Sequence, residues 1–380
     1  MQHRSKLPNL ETTIFSVMSS LAQQHKAINL SQGFPDFQSD KTLHKLVTQA
    51  MRDGYNQYAP MLGTFGLRNA IAQKFDHLYE STYHPETEII VTAGATQAIY
   101  TAITAFIRPG DEVIVFTPAY DCYVPAIKLN GGTSVSIQLE APNYKIDWEM
   151  LKVKVTAKTK MIIVNTPHNP SGAICTKEDM MKLQDITRNT NIVVLSDEVY
   201  EHIIFDDQAH QSVCLFPELK SRSIIVASFG KTFHNTGWKV GYCCGPKELM
   251  QEFVKVHQYN VFSVNHPVQK ALAVYLQNPN YYEALSEFYQ KKRDLFLNLI
   301  KDSRLFCVPA QGTYFQTVNY SAISNENDEK FAKWMTVEKG VAVIPVSVFN
   351  HDKYDQNMLR ICFAKTDDTL KRAAEILNQI

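Results

Sequence analysis

The chain has 380 residues with 38 basic and 38 acidic side chains and therefore no formal net charge, which argues against a nucleic-acid partner or an anionic membrane surface. A hydrophobic content of 45% without compositional bias excludes a disordered or fibrous protein, and the length suits about two domains able to bury a large sheet. The seven cysteines, at 122, 175, 214, 243, 244, 307 and 362, lack zinc-ribbon or redox spacing, so free thiols in a reducing, cytoplasmic setting are expected and a metal site is not.

Near the N-terminus, His3, Arg4 and Lys6 precede an apolar stretch, 14–18, that Ser16 interrupts. It is too short for a signal core, and no segment approaches the length of a membrane span. From about residue 88, short β-branched runs alternate with segments of helical period, the pattern of an α/β domain with a largely parallel sheet. The spacing predicts strands over 88–92, 112–116, 161–164, 192–195, 224–227 and 240–243, and helices over 98–107, 177–188 and 247–259. The basic run 152–160 is interrupted by Val and Thr and reads as a wet surface. After about residue 275, a charged helical stretch over 281–301 leads into shorter strand-like pieces and a last helix over 368–377, which reads as a second domain.

The chemistry-bearing residues gather at the carboxyl ends of the strands, where ligands of such sheets usually bind. Gly94-Ala95-Thr96-Gln97 opens a helix after the first strand; it offers amides and a hydroxyl to a phosphate, or it is a turn with Thr96 as N-cap. Tyr120 ends another strand and either stacks on a flat ring or fills the core. Asn169-Pro170-Ser171-Gly172 is a turn, or it presents an amide to a phenolate or carboxylate. Asp197, in Ser196-Asp197-Glu198-Val199-Tyr200, caps the next helix or holds a proton on a pyridine nitrogen. Lys231 lies in a Gly-punctuated run, 228–241, with Lys239 eight residues on; it is a solvated lysine, or an amine prepared to hold an aldehyde as a Schiff base. Arg360, between apolar neighbours, needs an internal ion pair or a substrate carboxylate. Neither GxGxxG nor GxxxxGK[ST] occurs, which removes the usual fingerprints of nicotinamide and nucleoside triphosphate binding.

Taken in order, these motifs resemble the fold-type I aminotransferases that use pyridoxal 5'-phosphate. The resemblance runs from Asn29-Leu30-Ser31-Gln32-Gly33-Phe34-Pro35-Asp36-Phe37 to Arg360. Gln32 to Phe37, Thr166-Pro167-His168-Asn169-Pro170, Gly230-Lys231-Thr232-Phe233 and Thr236-Gly237-Trp238-Lys239-Val240-Gly241 are most similar to the kynurenine/glutamine branch and to bacterial methionine aminotransferases. It implies a large α/β domain with a mostly parallel seven-stranded sheet between helices, and a smaller α+β domain built from the N- and C-terminal segments, with limits at 1–42, 43–275 and 276–380. It further implies that Lys231 anchors the cofactor and shuttles the substrate proton. Asp197 would pair with the ring nitrogen, and Tyr200 and Asn169 would bond the phenolic oxygen. Ala95, Thr96, Ser228 and Lys239 would hold the phosphate, and Tyr120 would stack on the ring. Arg360 and the Gly33 backbone, with Asn169, would clamp the substrate carboxylate. Tyr58 would reach the phosphate of a neighbouring subunit, so a homodimer is expected, with Phe262 also contributed across the interface.

The resemblance has three departures. Lys239 stands where many relatives have arginine, and Gly230 replaces a frequent serine, so phosphate affinity is where a difference is expected. Thr96 stands where some kynurenine-handling relatives are aromatic, which weighs against kynurenine. Phe15, Phe34 and Phe262 fall where the branch lines its side-chain pocket, and the stretch 257–264 supplies no second cation. The expectation is therefore ping-pong transfer of an amino group from methionine or an aromatic or large apolar amino acid to a 2-oxoacid. The rivals are kynurenine transamination, a carbon–sulfur β-lyase on the same scaffold, and a non-catalytic cofactor-binding regulator. Residues 1–28 are too few for the DNA-binding extension that such regulators carry.

Overall fold

The structure is a computed structural model that describes residues 5–8 and 10–380, so His3 and Arg4 lie outside the described residues. Seven strands form the central sheet: β1 (Ile89–Thr92), β2 (Glu112–Thr117), β3 (Thr133–Gln138), β4 (Thr159–Asn165), β5 (Val193–Asp197), β6 (Ser223–Ser228) and β7 (Gly241–Cys244). Their order is β1-β7-β6-β5-β4-β2-β3. All neighbours are parallel except at β7, which runs against both β1 and β6.

Near-continuous apolar runs suit strands covered on both faces, and the period of two divides their residues between two cores. In β2, Ile114 and Phe116 enter one core while Val113 and Val115 enter the other; in β4, Ile162 and Val164 oppose Met161 and Ile163. Each such side chain contributes about 1.5–3 kcal/mol when buried. The helix Gly94–Phe106 covers the second face with Ala98, Ile99, Ala102 and Ile103. It begins a turn earlier than the pattern suggests, so Thr96 lies inside it and Ala93 is the N-cap.

Other helices match their expected positions, at Lys177–Thr187, Lys247–Asn260 and Asp367–Leu377. The expected helix over 281–301 is instead two, Asn280–Glu283 and Leu285–Ile300, parted at Ala284. Strand β3 has no counterpart among the expected strands. It is one of the two edge strands, and its Thr-Ser-Val-Ser-Ile-Gln sequence never makes an apolar run because one row of side chains stays partly wet.

A smaller antiparallel sheet joins Ile344–Pro345, Met358–Cys362 and Phe315–Asn319, placing Arg360 opposite Thr317. The strand Ile28–Asn29 pairs in parallel with Val341–Ala342, which joins the N-terminal segment to the C-terminal one. All seven cysteines are free thiols. Among the described residues, no helix is long and apolar enough to cross a membrane, and no His/Cys/Asp/Glu group could hold a metal.

The turn after β5 divides its residues between two sides. Asp197 and Tyr200 face a cavity, while Glu198 and Glu201 turn into the protein. Glu198 accepts from Ser196 Oγ at 2.8 Å and from the Val213 amide at 3.1 Å. Glu201 pairs with Lys74 Nζ at 2.5 Å, both side chains being only 3–4% exposed, and accepts from the hydroxyls of Tyr79 and Tyr242 at 3.0 Å. Burial would raise the Glu201 carboxyl, but Lys74 holds it well below the ordinary carboxylate range. Lys74→Met removes the cation and leaves a buried anion, so a loss of about 3–5 kcal/mol is expected. Denaturant unfolding should show it, and Lys74→Met with Glu201→Leu should regain most of it. A loss below about 1 kcal/mol in the single variant would mean that the tyrosines suffice.

Candidate active site

A cavity of about 310 Å³ opens at the carboxyl ends of β4, β5 and β6, where parallel sheets leave their strand ends free to bind ligands. Asn165 ends β4, Asp197 ends β5, and Ser228 ends β6. The single-turn helix Phe229–Thr232 follows at once and carries Lys231.

Lys231 lines the cavity, and its Nζ donates to the Gly33 carbonyl and the Tyr314 hydroxyl, each at 3.0 Å. Burial brings the amine down to about 8; Cys362 opposes the shift, while Arg360 and Lys239 reinforce it. Of the two readings of Lys231, the solvated one is excluded by this setting. A desolvated amine holds its proton loosely and becomes an effective nucleophile and base near neutral pH.

Asp197 is buried, with one oxygen accepting from Tyr123 Oη at 2.5 Å and the other from the Val199 amide at 3.3 Å. Burial raises its carboxyl to about 6, against the pull of those two hydrogen bonds. No helix starts there, so the capping role does not apply. Asn165 fixes the neighbourhood: its Nδ2 donates to the Asp197 carbonyl at 2.9 Å, and its Oδ1 accepts from the Asn169 amide at 2.8 Å. Burial also pushes the Tyr200 phenol up, keeping it a neutral hydroxyl.

At one end of the cavity, two positive features converge. The helix Gly94–Phe106 points its amino end inward without a side-chain cap, and Lys239 comes against Gly94 from the left-handed region, at φ 57°. A Cβ at Gly94 would sit 3.3 Å from the Lys239 side chain, and one at Gly241 would strike the Ala227 carbonyl at 2.5 Å. These glycines therefore permit the close approach of backbone amides. A cation beside a helix amino end is unfavourable until an anion joins them. Ala95, Thr96 and Ser228 line the same cavity, with Thr96 Oγ1 lying 3.3 Å from Tyr120 Oη.

Arg360, buried at the other end, donates from Nη1 to Asn169 Oδ1 at 2.8 Å and from Nη2 to the Ser31 carbonyl at 3.0 Å. Its hydrogen-bond partners are neutral oxygens, and Nε has none. The guanidinium lies 3.9 Å from the Phe315 ring centroid and 5.1 Å from that of Phe15. A buried cation with a spare donor and no hydrogen-bonded carboxylate calls for an anionic ligand. Gly33, Phe15 and Phe34 line the cavity as well.

Every expected site residue is therefore brought together except Tyr58 and Phe262. Those two are exposed by 81% and 47%, pack edge to face at 5.5 Å, and do not line this chain's cavity. Asn165, Tyr123 and Tyr314 were missed by the sequence reading. Tyr123 stands one helical turn beyond Tyr120 and Asn165 ends a strand, which are weak signals, whereas Tyr314 belongs to no motif.

An amine held near neutral pKa, a buried carboxylate, an anion cradle and an orphaned guanidinium all face one space. Residues 25–377 match the model of the aminotransferase class I and II family, and the chain belongs to it. It is 50% identical over 378 residues to the methionine aminotransferase of Escherichia coli K12, covering 99% of this chain and 98% of that one. It is 34% identical to the kynurenine–oxoglutarate transaminase of Dictyostelium discoideum, covering 96% and 93%. A crystal structure from Escherichia coli, reported with a methionine aminotransferase function, superposes with a TM-score of 0.98 at 50% identity over the whole of both chains.

The protein is thus a pyridoxal phosphate-dependent aminotransferase, with the fold-type I architecture. The cavity fits that cofactor on its own evidence. Its glycine-permitted cradle suits a phosphate, Asp197 suits a protonated ring nitrogen, and the Lys231 amine suits an aldehyde.

Proposed function

We propose that the enzyme transfers the amino group of methionine, or of an aromatic or large apolar amino acid, to a 2-oxoacid in a ping-pong cycle. The observation that carries this is the cavity lining. Besides Arg360, its only cations among the described residues are Lys231 and Lys239, both committed to the cofactor. A dicarboxylate side chain would have no partner there. Phe15, Phe34 and Phe315 offer apolar and aromatic contact, which suits a thioether or a ring.

The chemistry supplied by bound pyridoxal phosphate is an electron sink for the substrate's Cα–H bond and a carbon that takes up nitrogen. Lys231 Nζ anchors the cofactor, takes the proton from the substrate Cα, and later releases it. Asp197 would hold the proton on the ring nitrogen. Tyr200 and Asn169 would donate to the phenolic oxygen, and Tyr120 would flank the ring. Ala95, Thr96, Ser228 and Lys239 would hold the phosphate. Arg360 orients the substrate carboxylate through its free Nε, aided by the Gly33 amide and Asn169.

In this reading residues 1–42 supply the arm and part of the small domain, 43–275 the large domain, and 276–380 the rest of the small domain. The exposed Tyr58–Phe262 pair serves the neighbouring subunit's cavity in a cytoplasmic homodimer, since such a pair left in water would be an unused apolar patch.

The test is a donor series with the loaded enzyme. Methionine alone should release one equivalent of its 2-oxoacid per site, and added 2-oxoacid should sustain turnover. Methionine or phenylalanine should exceed aspartate in kcat/KM by at least about a hundredfold. Aspartate as the fastest donor would overturn the reading, kynurenine as the fastest would favour that branch, and pyruvate with ammonia from a cysteine conjugate would favour the β-lyase.

A further inference from the structure

Tyr314 lies just before the strand Phe315–Asn319 and is wholly buried. Its hydroxyl donates to the Gly33 carbonyl at 2.5 Å and accepts from Lys231 Nζ at 3.0 Å, while the same amine donates to the Gly33 carbonyl at 3.0 Å. Polar atoms from positions 33, 231 and 314 thus close a three-membered ring of contacts. The phenol has little freedom within it. Tyr200, Tyr289 and Phe315 pack around it with ring centroids 5.2, 5.7 and 4.9 Å away, and the Tyr314 carbonyl accepts from the Phe363 amide at 3.0 Å. Burial first, then Tyr200, push its acidity far from neutral pH. The hydroxyl therefore keeps one proton, given to Gly33, and leaves its lone pairs to the lysine.

Gly33 is equally confined, since a Cβ there would meet the Phe315 ring at 2.8 Å. The segment 31–36 is fastened by four further donors: Arg360 Nη2 to the Ser31 carbonyl at 3.0 Å, Lys365 Nζ to the Phe34 carbonyl at 2.8 Å, and the Thr366 amide and Thr369 hydroxyl to Asp36 at 2.6 and 2.7 Å. It therefore shares its supports with the arginine that would receive the substrate carboxylate.

We propose that Tyr314 is a positioning residue that seats the free amine of Lys231 against the Gly33 carbonyl, and so couples the state of the lysine to the segment flanking the substrate carboxylate. The inference rests on Lys231 being the reactive lysine of the reading above. When Nζ is engaged elsewhere, the Tyr314 hydroxyl alone holds the Gly33 carbonyl in place. When the amine is set free, two oxygens already stand at hydrogen-bond distance. Both favour the protonated form, so a proton taken up by Nζ is retained there until it is passed on.

Tyr314→Phe keeps the packed ring and removes only the hydroxyl. Two readouts are taken on full-length protein without added cofactor: the pH dependence of Lys231 acetylation by trace acetic anhydride, and amide hydrogen exchange across 31–36, both by mass spectrometry. The wild-type amine should titrate near 8. The variant should titrate about one pH unit lower, a tenfold change in free amine at fixed pH, with exchange about fivefold faster. An unmoved midpoint or unmoved exchange overturns the coupling, including faster exchange alone, which a merely structural role would produce.

The wild type provides a check that needs no variant. Exchange across 31–36, corrected for its intrinsic pH dependence, should step up as the lysine deprotonates, and the absence of that step also overturns the proposal. Neither readout depends on transamination, whose own assignment is decided by borohydride labelling of Lys231.

Discussion

Lys231→Ala is expected to lower transamination by about four orders of magnitude, the combined loss of an activated nucleophile and a general base. Among the described residues, no other side chain stands ready to replace it. Lys239, the cavity's other lysine, lies against Gly94 beside the helix amino end, where in the proposed function its charge serves the phosphate. Methionine consumption under single-turnover conditions measures the loss. Borohydride treatment of the loaded wild type should fix the cofactor to the peptide containing Lys231, and the variant should yield no such adduct. Activity within about tenfold of wild type, or a label on another lysine, would refute the assignment.

For Asp197→Ala, a loss of about 10²–10³ is expected with the cofactor still bound. The carboxylate is stripped of water, and its hydrogen-bond donors among the described residues are Tyr123 and the Val199 amide. A protonated ring nitrogen is the partner that such a half-satisfied anion favours. Asp197→Asn preserves the shape, so an equal loss there would assign the effect to charge. The direction of pH dependence follows from the raised carboxyl, near 6 in this chain. A protonated ring nitrogen beside the carboxylate would draw that value down in the loaded enzyme, so kcat should hold as pH drops to about 6 and fall only below it, where the carboxyl turns neutral and the ring proton loses its partner. Near-normal turnover in either variant would mean that another group protonates the ring.

The strand ends could be read from the chain because buried parallel strands are written as β-branched runs, and residues just past such runs face the ligand. Asp197, Asn169 and Lys231 were legible on that ground. The path of the chain through space was not. The reversed direction of β7 leaves no mark on its apolar run, and β3 is hidden by its wet face. Arg360 and Asn169 are 191 positions apart in sequence yet share a hydrogen bond, so the reading could only offer each an anion or a turn. Tyr314 was invisible for a related reason: a phenol before a strand is usually core, and only the meeting with Gly33 and Lys231 marks it out.

The turn after β5 has a bearing on how this enzyme could be altered. Positions 197 and 200 face the cavity while 198 and 201 are held within the fold, so a change anywhere in that turn would mix an effect on the site with damage to the scaffold. Phe34 stands on the rim, nearly half exposed, and Phe15 comes from the helix Ile14–His25 outside the sheet. In the proposed function these two rings meet the substrate side chain, so substrate preference would be retuned from the periphery, one aromatic side chain at a time, while the strand ends are left alone.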